Sequence, residues 1–136
     1  MEKITIQVSV RADLQKTWDY YTQPIHITQW NHASEDWQCP TAINDLRVGG
    51  LYSSRMEAKD GSVGFDFEAV YTNVVDNQGL TYVCSDGRVV EVTFVKEGFF
   101  TEVCIRFDPE TENPIELQRN GWQAILNNFK KHIETQ

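Results

Sequence analysis

Residues 113–134 read NPIELQRNGWQAILNNFKKHIE and predict one long amphipathic helix near the end of the chain. At about 100° per residue, the large apolar side chains of this stretch fall on one side of the helix. They are Ile115, Trp122, Leu126, Phe129 and Ile133, with Ile125 at the border. We expect Asn113 to cap the first turn and Pro114 to occupy the first helical position. The rest of the chain must cover this apolar side.

Two polar residues, Gln118 and Arg119, interrupt the apolar side near its N-terminal end. Gln118 lies within about 30° of the centre of the apolar stripe. It either contacts solvent at the end of the stripe or lines a partly polar cavity. We favour solvent contact because polar side chains usually remain exposed.

The composition is that of one domain with a sizeable core. The chain has 136 residues, 40% of them apolar, and it contains seven Phe, five Tyr and four Trp. Its net charge of -8 opposes binding to nucleic-acid phosphates and to anionic membrane surfaces. We therefore expect a single domain over 1–136, no nucleic-acid partner and no insertion into a membrane.

The N-terminus and the cysteines indicate a cytoplasmic protein. No apolar run approaches the roughly 20 residues of a membrane-spanning helix, and the start MEKIT lacks the basic and apolar regions of a signal peptide. The chain has an odd number of cysteines, three, and they show no CxxC or Cys/His spacing. They are Cys39, Cys84 and Cys104. We expect free thiols, no metal site and no cofactor.

The first third of the chain predicts a strand, two short helices and an irregular segment. Apolar residues alternate over 4–10, the period of a strand with one buried face. Helical spacing begins at Asp13, and Pro24 ends that helix and opens a second one that reaches Trp30. The segment 31–44 has no clear period and contains Pro40, so we expect a loop followed by a short edge strand.

A glycine turn and an antiparallel meander fill the middle of the chain. In DLRVGG, Gly49 and Gly50 permit positive φ and close approach of the backbone. Alternating stretches then follow, separated by turn signals such as Asp60-Gly61. The predicted strands are 51–58, 63–75, 80–84, 89–95 and 99–107. Six or seven strands in total and the helices predict an α+β fold whose sheet bends around the last helix, with space for a pocket between them.

Two motifs carry a resemblance to a known superfamily. DLRVGG at 45–50 and GWQAILNNF at 121–129 resemble the SRPBCC (START-like) superfamily. Within it, the chain is similar to bacterial proteins that resemble the C-terminal domain of the activator of the heat-shock-protein-90 ATPase. Further matching positions are Ala12, Trp18, 24–30, Phe67, Tyr71 and 101–103. The resemblance covers 3–134.

The resemblance implies a helix-grip fold with the order β-α-α-β6-α. In many relatives a cavity between the long helix and the sheet holds a lipid, a polyketide or another apolar molecule. Three departures bear on this chain: Asp13 replaces a common Pro, Ala69 replaces a frequent Gly, and Asn31 follows a single Trp30 where relatives often carry a Trp pair. The last two affect the expected shape of the cavity.

The predicted cavity lining combines large rings with a few polar groups that could orient a ligand. It consists of Trp18, Trp30, Trp37, Met56, Phe67, Tyr71, Tyr82, Gln118, Arg119, Trp122, Leu126 and Phe129. The same rings could also form an ordinary core, and the sequence leaves that alternative open.

Candidate catalytic groups are sparse. The loop after the second helix brings His, Cys and carboxylates close in sequence, at Asn31, His32, Glu35, Asp36 and Cys39. Without a signature motif, a solvated loop near the cavity mouth is preferred over a metal site or a Cys-His nucleophile. We therefore predict no catalytic residue here.

The remaining ionisable groups are interpreted as surface residues. His26 and His132 stand alone on helices and are most simply exposed. Arg55 can face Asp66 and Glu68 across a hairpin, and such a charged group is more typical of a solvated outer face than of a catalytic carboxylate pair.

Three hypotheses for function follow. The first is a non-catalytic domain that binds a small hydrophobic or amphipathic ligand between the last helix and the sheet, with Gln118, Tyr71 or Trp37 fixing its orientation. The second is a protein-interaction module related to chaperone ATPase activators, although such activators usually carry an additional N-terminal domain. The third is a cyclase- or hydrolase-type enzyme, which convergence of Arg119, Gln118 and a carboxylate would favour.

Overall fold

The computed structural model describes residues 2–136, which form eight strands and three helices. In chain order they are β1 (Ile4–Val10), α1 (Leu14–Thr22), α2 (Pro24–Trp30), β2 (Trp37–Gln38), β3 (Ala42–Asn44), β4 (Leu51–Ala58), β5 (Gly64–Val75), β6 (Gly79–Cys84), β7 (Val89–Glu97), β8 (Phe100–Phe107) and α3 (Ile115–Glu134).

All strands belong to one antiparallel sheet that curls around α3. Its order is β1-β8-β7-β6-β5-β4-β2, and β3 also pairs with β4. The predicted α+β helix-grip class is confirmed. The segment 31–44 contributes two short strands where one was predicted, because Pro40 cannot donate a hydrogen bond and separates β2 from β3.

The core lies between the concave face of the sheet and α3. Alternate residues of the strands point inward, as in β7, where Val90, Val92 and Phe94 are buried. The C-terminal half of α3 contributes Leu126, Phe129 and Ile133, all essentially inaccessible to solvent. The short helices α1 and α2 close one end of the core. Their contacts include Trp18 edge-on to Phe94 at 5.2 Å and Trp30 edge-on to Phe129 at 5.3 Å between ring centroids.

Polar side chains of α3 bond the backbone of β1, the last strand at one edge of the sheet. Gln123 Nε2 donates to the carbonyl of Gln7 at 3.2 Å, and Lys130 Nζ donates to that of Ser9 at 2.8 Å. An uncovered edge strand presents unpaired backbone groups that can pair with other chains. The helix therefore partly covers the edge while its apolar side fills the core.

The start of α3 differs from the prediction by one position. Pro114, with φ -57° and ψ 146°, occupies the cap position and makes no side-chain cap, and the helix begins at Ile115. Asn113 instead uses its backbone: its N–H donates to Glu110 Oε1 at 2.7 Å, and its carbonyl accepts from Gln118 Nε2 at 2.8 Å. The predicted start of the first helix at Asp13 is confirmed: Asp13 is the cap residue of α1, and its carboxylate accepts from the N–H of Lys16.

None of the helices within residues 2–136 combines the length and the apolar character needed to cross a membrane.

Two histidines join α2 to α3. His26 Nδ1 lies 3.0 Å from His132 Nε2, so the two rings share one hydrogen bond. The ring of Tyr20 stacks on that of His26, with 3.7 Å between centroids. The interpretation of these histidines as isolated surface residues was wrong, because the fold joins positions 106 residues apart.

Because of this histidine pair, we expect the protein to be less stable in mild acid than at neutral pH. Desolvation lowers the pKa of both rings; Asp19 opposes the shift at His26, and His26 adds to the shift at His132. Since each folded-state pKa lies below the unfolded value of about 6.5, the unfolded chain binds protons more readily. The stabilisation that comes from keeping both rings neutral is complete above a pH of about 6.5. It is lost as the pH falls through the pKa values of the folded state.

Urea unfolding measured from about pH 7 to pH 5 should therefore show a falling free energy of unfolding, and a smaller fall for His132→Gln. Lys131→Gln is the matched control, because it introduces the same side chain at the neighbouring position and keeps the ring that bonds His26. Equal slopes for His132→Gln and the unchanged protein would contradict the role of the pair.

The turn before β4 depends on two glycines, as predicted. Gly49 adopts φ +84°, which residues with a side chain rarely occupy. A Cβ added to Gly50 would lie 2.0 Å from the carbonyl oxygen of Asp45, which is backbone and cannot rotate away.

We expect Gly50→Ala to lower the free energy of unfolding by about 1–3 kcal/mol through this overlap. Gly121→Ala is the matched control: a Cβ there meets no atom within 4 Å in residues 2–136, and alanine in a helix should raise stability by about 1 kcal/mol. Urea unfolding of Gly50→Ala and Gly121→Ala measures both changes in the free energy of unfolding. The account of the turn fails if Gly50→Ala is as stable as the unchanged protein.

Candidate ligand cavity

A cavity of about 320 Å³ lies between the N-terminal half of α3 and the concave face of the sheet. Aromatic and aliphatic side chains form most of its wall. The lining residues are Tyr21, Trp30, Asn31, Tyr52, Met56, Phe65, Phe67, Tyr82, Arg88, Ile105, Glu110, Asn113, Gln118, Trp122, Ile125 and Leu126.

Ring contacts hold the wall in place. Trp122 on α3 stacks on Phe107 of β8, with 4.1 Å between centroids, and Phe67 lies edge-on to Trp122 at 6.4 Å. Tyr52 and Tyr82 from β4 and β6 approach to 5.5 Å. These contacts involve four strands and the helix around the same space, so the wall consists of packed rings on regular elements.

Gln118 closes one end of the cavity. The expectation of solvent contact was wrong, because the side chain is only 8% exposed and lines the cavity. Its Oε1 accepts from the N–H of Glu110 at 2.9 Å, and its Nε2 donates to the carbonyls of Glu110 at 3.1 Å and Asn113 at 2.8 Å. The amide therefore binds the loop before α3, and both of its N–H groups are engaged within the protein.

The charged groups on the cavity wall are already engaged with protein groups. Within residues 2–136, these charged lining residues are Arg88 and Glu110. Arg88 Nε donates to Asp86 Oδ2 at 2.7 Å. The carboxylate of Glu110 accepts from the N–H groups of Asn113 at 2.7 Å and Glu112 at 3.0 Å, and the bond from Asn113 lowers its pKa. Their formal charges cancel, so the cavity has no net charge of its own.

Four tyrosines cluster beside the cavity and stay protonated, and three of them, Tyr21, Tyr52 and Tyr82, line it. Tyr52 accepts from Ser54 Oγ at 3.3 Å, and Tyr71 donates to Asn44 Oδ1 at 2.7 Å. Burial raises the pKa of Tyr52 to about 12, and it raises the pKa values of the other three well above the ordinary value. The others are Tyr21, Tyr71 and Tyr82. At neutral pH they are uncharged phenols, able to donate a hydrogen bond but poor as bases.

Seven of the twelve residues predicted for the cavity line it. They are Trp30, Met56, Phe67, Tyr82, Gln118, Trp122 and Leu126. The other five lie elsewhere. Trp18 packs against Phe94, Trp37 lies 6.3 Å from Phe65, Tyr71 bonds Asn44, Phe129 is enclosed in the core, and Arg119 forms an ion pair with Glu116 on the helix surface.

Nine of the lining residues were not predicted from the sequence. Tyr52, Phe65 and Ile105 share the inward face of their strands, so the two-residue period carried a usable signal for them. Arg88, Glu110 and Asn113 lie in turns and loops whose approach to α3 no local pattern encodes. The other missed residues are Tyr21, Asn31 and Ile125.

The loop after α2 does not form a metal centre. In the part of the chain that the structure describes, residues 2–136, no three His, Cys, Asp or Glu side chains are placed to hold an ion. Cys39 is buried and donates to the carbonyl of Thr41 at 3.4 Å, and burial raises the pKa of its thiol. His32 instead lines a separate polar pocket of about 310 Å³ with Glu35 and Lys131. Because its pKa is raised, the thiol of Cys39 is a poor nucleophile.

The charges on the hairpin of β4 and β5 face away from the cavity. Arg55 Nη1 lies 3.4 Å from Asp66 Oδ1 on the neighbouring strand, and its Nε lies 3.5 Å from Glu57 Oε1. Asp66 and Glu68 are exposed. The interpretation as a solvated outer face is confirmed, and Glu68 lies opposite Ser53 rather than Arg55.

Comparison with known proteins places this chain in a family. The family described as "Activator of Hsp90 ATPase homolog 1-like protein" matches residues 11–134. No curated protein matches the sequence significantly.

Solved structures agree with the family match. The Chr148 protein of Cytophaga hutchinsonii is 47% identical, with 98% of this chain and 92% of that one covered and a TM-score of 0.85. The AHSA1-like protein of Aeromonas hydrophila is 39% identical, with coverage of 97% and 93% and a TM-score of 0.89. The CV1439 protein of Chromobacterium violaceum shares the fold at 19% identity, with coverage of 98% and 99% and a TM-score of 0.87. The chain therefore belongs to the family of Activator of Hsp90 ATPase homolog 1-like proteins.

Proposed function

We propose that this protein binds a small apolar or amphipathic molecule between α3 and the sheet without converting it chemically. The observation that carries the proposal is the cavity of about 320 Å³, walled by aromatic and aliphatic side chains. Ligand pockets in proteins span roughly 300–1,000 Å³ and are mostly apolar with a few polar groups. This cavity lies at the small end of that range, so it suits a molecule of one to three rings or a short chain.

The affinity expected from such a site is moderate. A ligand that buries about 250 Å² of apolar surface gains roughly 6 kcal/mol, and because association also costs translational and rotational freedom, a dissociation constant of roughly tens of micromolar is the tightest expected. The cavity wall is fixed by ring stacking on strands and helix, so little ordering is required on binding.

The arrangement that would favour an enzyme is not formed. Arg119 pairs with Glu116 on the helix surface, away from the cavity. Gln118 is committed to the loop before α3. Glu110 lines the cavity, but its pKa is lowered, which makes the carboxylate a weak base. Binding without catalysis is the function that this geometry supports best.

Filling the cavity tests the proposal. Ile125 lines the cavity from α3, so Ile125→Trp should occupy part of its volume and weaken the binding of tetralin, a compact two-ring hydrocarbon, by about tenfold or more. Asn127→Trp places the same ring on the exposed side of the same helix and should leave binding unchanged. Two-dimensional NMR titration of the labelled proteins gives the dissociation constants, and thermal unfolding verifies that both variants fold.

The proposal is contradicted if tetralin at its solubility limit leaves the resonances of Trp122 and Leu126 unshifted. It is also contradicted if Ile125→Trp and Asn127→Trp bind tetralin equally well.

A second candidate function is protein binding on the convex face of the sheet, in keeping with the family description. The observation in its favour is a cross-strand row of aliphatic residues: Leu51 pairs with Val70, Val70 with Val83, and Val83 with Val89. Leu51 and Val70 are 39% and 46% exposed, whereas Val83 and Val89 are half-buried. This row is narrow and flanked by charges, so it ranks behind the cavity. Shifts confined to these four residues on titration with a heat-shock-protein-90 chaperone would support it, and unchanged spectra would dismiss it.

A further inference from the structure

The hydroxyl of Tyr82 is an unused hydrogen-bonding group on the cavity wall. The side chain is only 5% exposed and lines the cavity. Its oxygen makes no hydrogen bond to any group in residues 2–136, whereas the hydroxyls of Tyr52 and Tyr71 are each paired. In the same residues, the one sealed side-chain polar atom without a partner is Asn77 Oδ1. The Tyr82 oxygen is therefore accessible, and the cavity is the space that it borders.

Tyr21 provides a second phenol of the same kind. It reaches the cavity from α1, and none of the side-chain hydrogen bonds within residues 2–136 involves its hydroxyl. Its ring packs edge-on against Phe94 and Phe129, at 5.5 Å and 5.2 Å between centroids, and stacks on Trp30 at 5.0 Å. These contacts fix the ring, so the direction of its hydroxyl is set by packing. Two phenols on the wall of a mostly apolar cavity thus have no hydrogen-bond partner within residues 2–136.

A ligand that enters the cavity removes these hydroxyls from water, so it must offer them an acceptor or leave them without a hydrogen bond, which is costly. Both phenols stay protonated at neutral pH because burial raises their pKa values. A protonated phenol donates to an oxygen acceptor and cannot neutralise a cation. The complementary group on a ligand is thus a carbonyl or a similar neutral oxygen.

The charges around the cavity disfavour an ionised ligand. The cationic lining residue, Arg88, is already paired with Asp86, and the nearby Glu110 would repel an anion. Moving an unpaired charge into an apolar cavity is expensive. An uncharged molecule avoids this cost.

From these features we infer that the cavity selects uncharged, compact ring compounds that carry a carbonyl oxygen, which accepts hydrogen bonds from Tyr82 and Tyr21. The apolar body of such a ligand lies against Phe67, Trp122 and Leu126. This inference rests on the proposed function and adds the chemical class of the ligand.

Three probes of the same shape test the inference: α-tetralone, tetralin and tetralin carboxylate. They share two fused rings and differ in carrying a neutral carbonyl, no polar group or a negative charge. Dissociation constants are measured by two-dimensional NMR titration for the unchanged protein, Tyr82→Phe, and the double variant Tyr21→Phe/Tyr82→Phe. Because one neutral hydrogen bond is of modest net strength, we expect α-tetralone to bind about threefold to tenfold more tightly than tetralin.

In Tyr82→Phe this preference should shrink, and in the double variant it should vanish while tetralin binds as before. Tyr71→Phe is the matched control. It removes a phenol oxygen from the same tyrosine cluster, but its hydroxyl bonds Asn44 and lies off the cavity wall, so the preference should persist. Because the Tyr82 hydroxyl has no protein partner, its loss should leave thermal unfolding unchanged.

The outcomes separate the two proposals. If tetralin and α-tetralone bind the unchanged protein equally, the inference is overturned and the proposed function stands. If neither binds, both are overturned. Tighter binding of the carboxylate than of α-tetralone would assign recognition to Arg88 instead. A preference for α-tetralone that persists in the double variant would show that Tyr21 and Tyr82 do not bond its carbonyl oxygen, and would overturn the inference.

Discussion

The structure depends on how one 20-residue helix packs against a curled sheet. Along its C-terminal half, α3 is in full contact: Leu126, Phe129 and Ile133 are buried against β1 and the two short helices. At the other end Ile115 is 40% exposed and Trp122 is half-buried. A 20-residue helix cannot follow the curvature of the sheet over its whole length. The gap that remains is the cavity, so the same packing that forms the core also creates the site.

Gln118 closes one end of this gap by hydrogen-bonding the loop before α3. An apolar residue in its place would leave the loop before α3 without partners for the N–H and carbonyl of Glu110 and the carbonyl of Asn113. The loop in turn brings Glu110 to the cavity wall near Arg88. A residue that interrupts the apolar stripe is therefore structural, and we propose the phenols of Tyr21 and Tyr82 as the groups that meet a ligand.

Periodicity predicted the fold because each element is coded locally. The alternation over 4–10, the cap at Asp13 and the glycines at 49 and 50 each specify a conformation within a few residues, and the structure agrees at all three. The site was predicted less completely because it depends on contacts between distant segments. The contact between His26 and His132 and the position of Arg88 on the cavity wall depend on tertiary packing, which no local sequence pattern encodes. Gln118 shows the same limit: its position on the stripe was clear from sequence, but its partners lie in a loop with no period.

The central claim is that the space between α3 and the sheet takes up an uncharged apolar molecule. Intermolecular nuclear Overhauser effects between α-tetralone and the methyl groups of the protein test it most directly. The account predicts contacts to Ile105, Ile125 and Leu126, which line the cavity from both sides. Contacts confined to surface methyl groups such as those of Ile25 or Val70, or no contacts at saturating ligand, would contradict it.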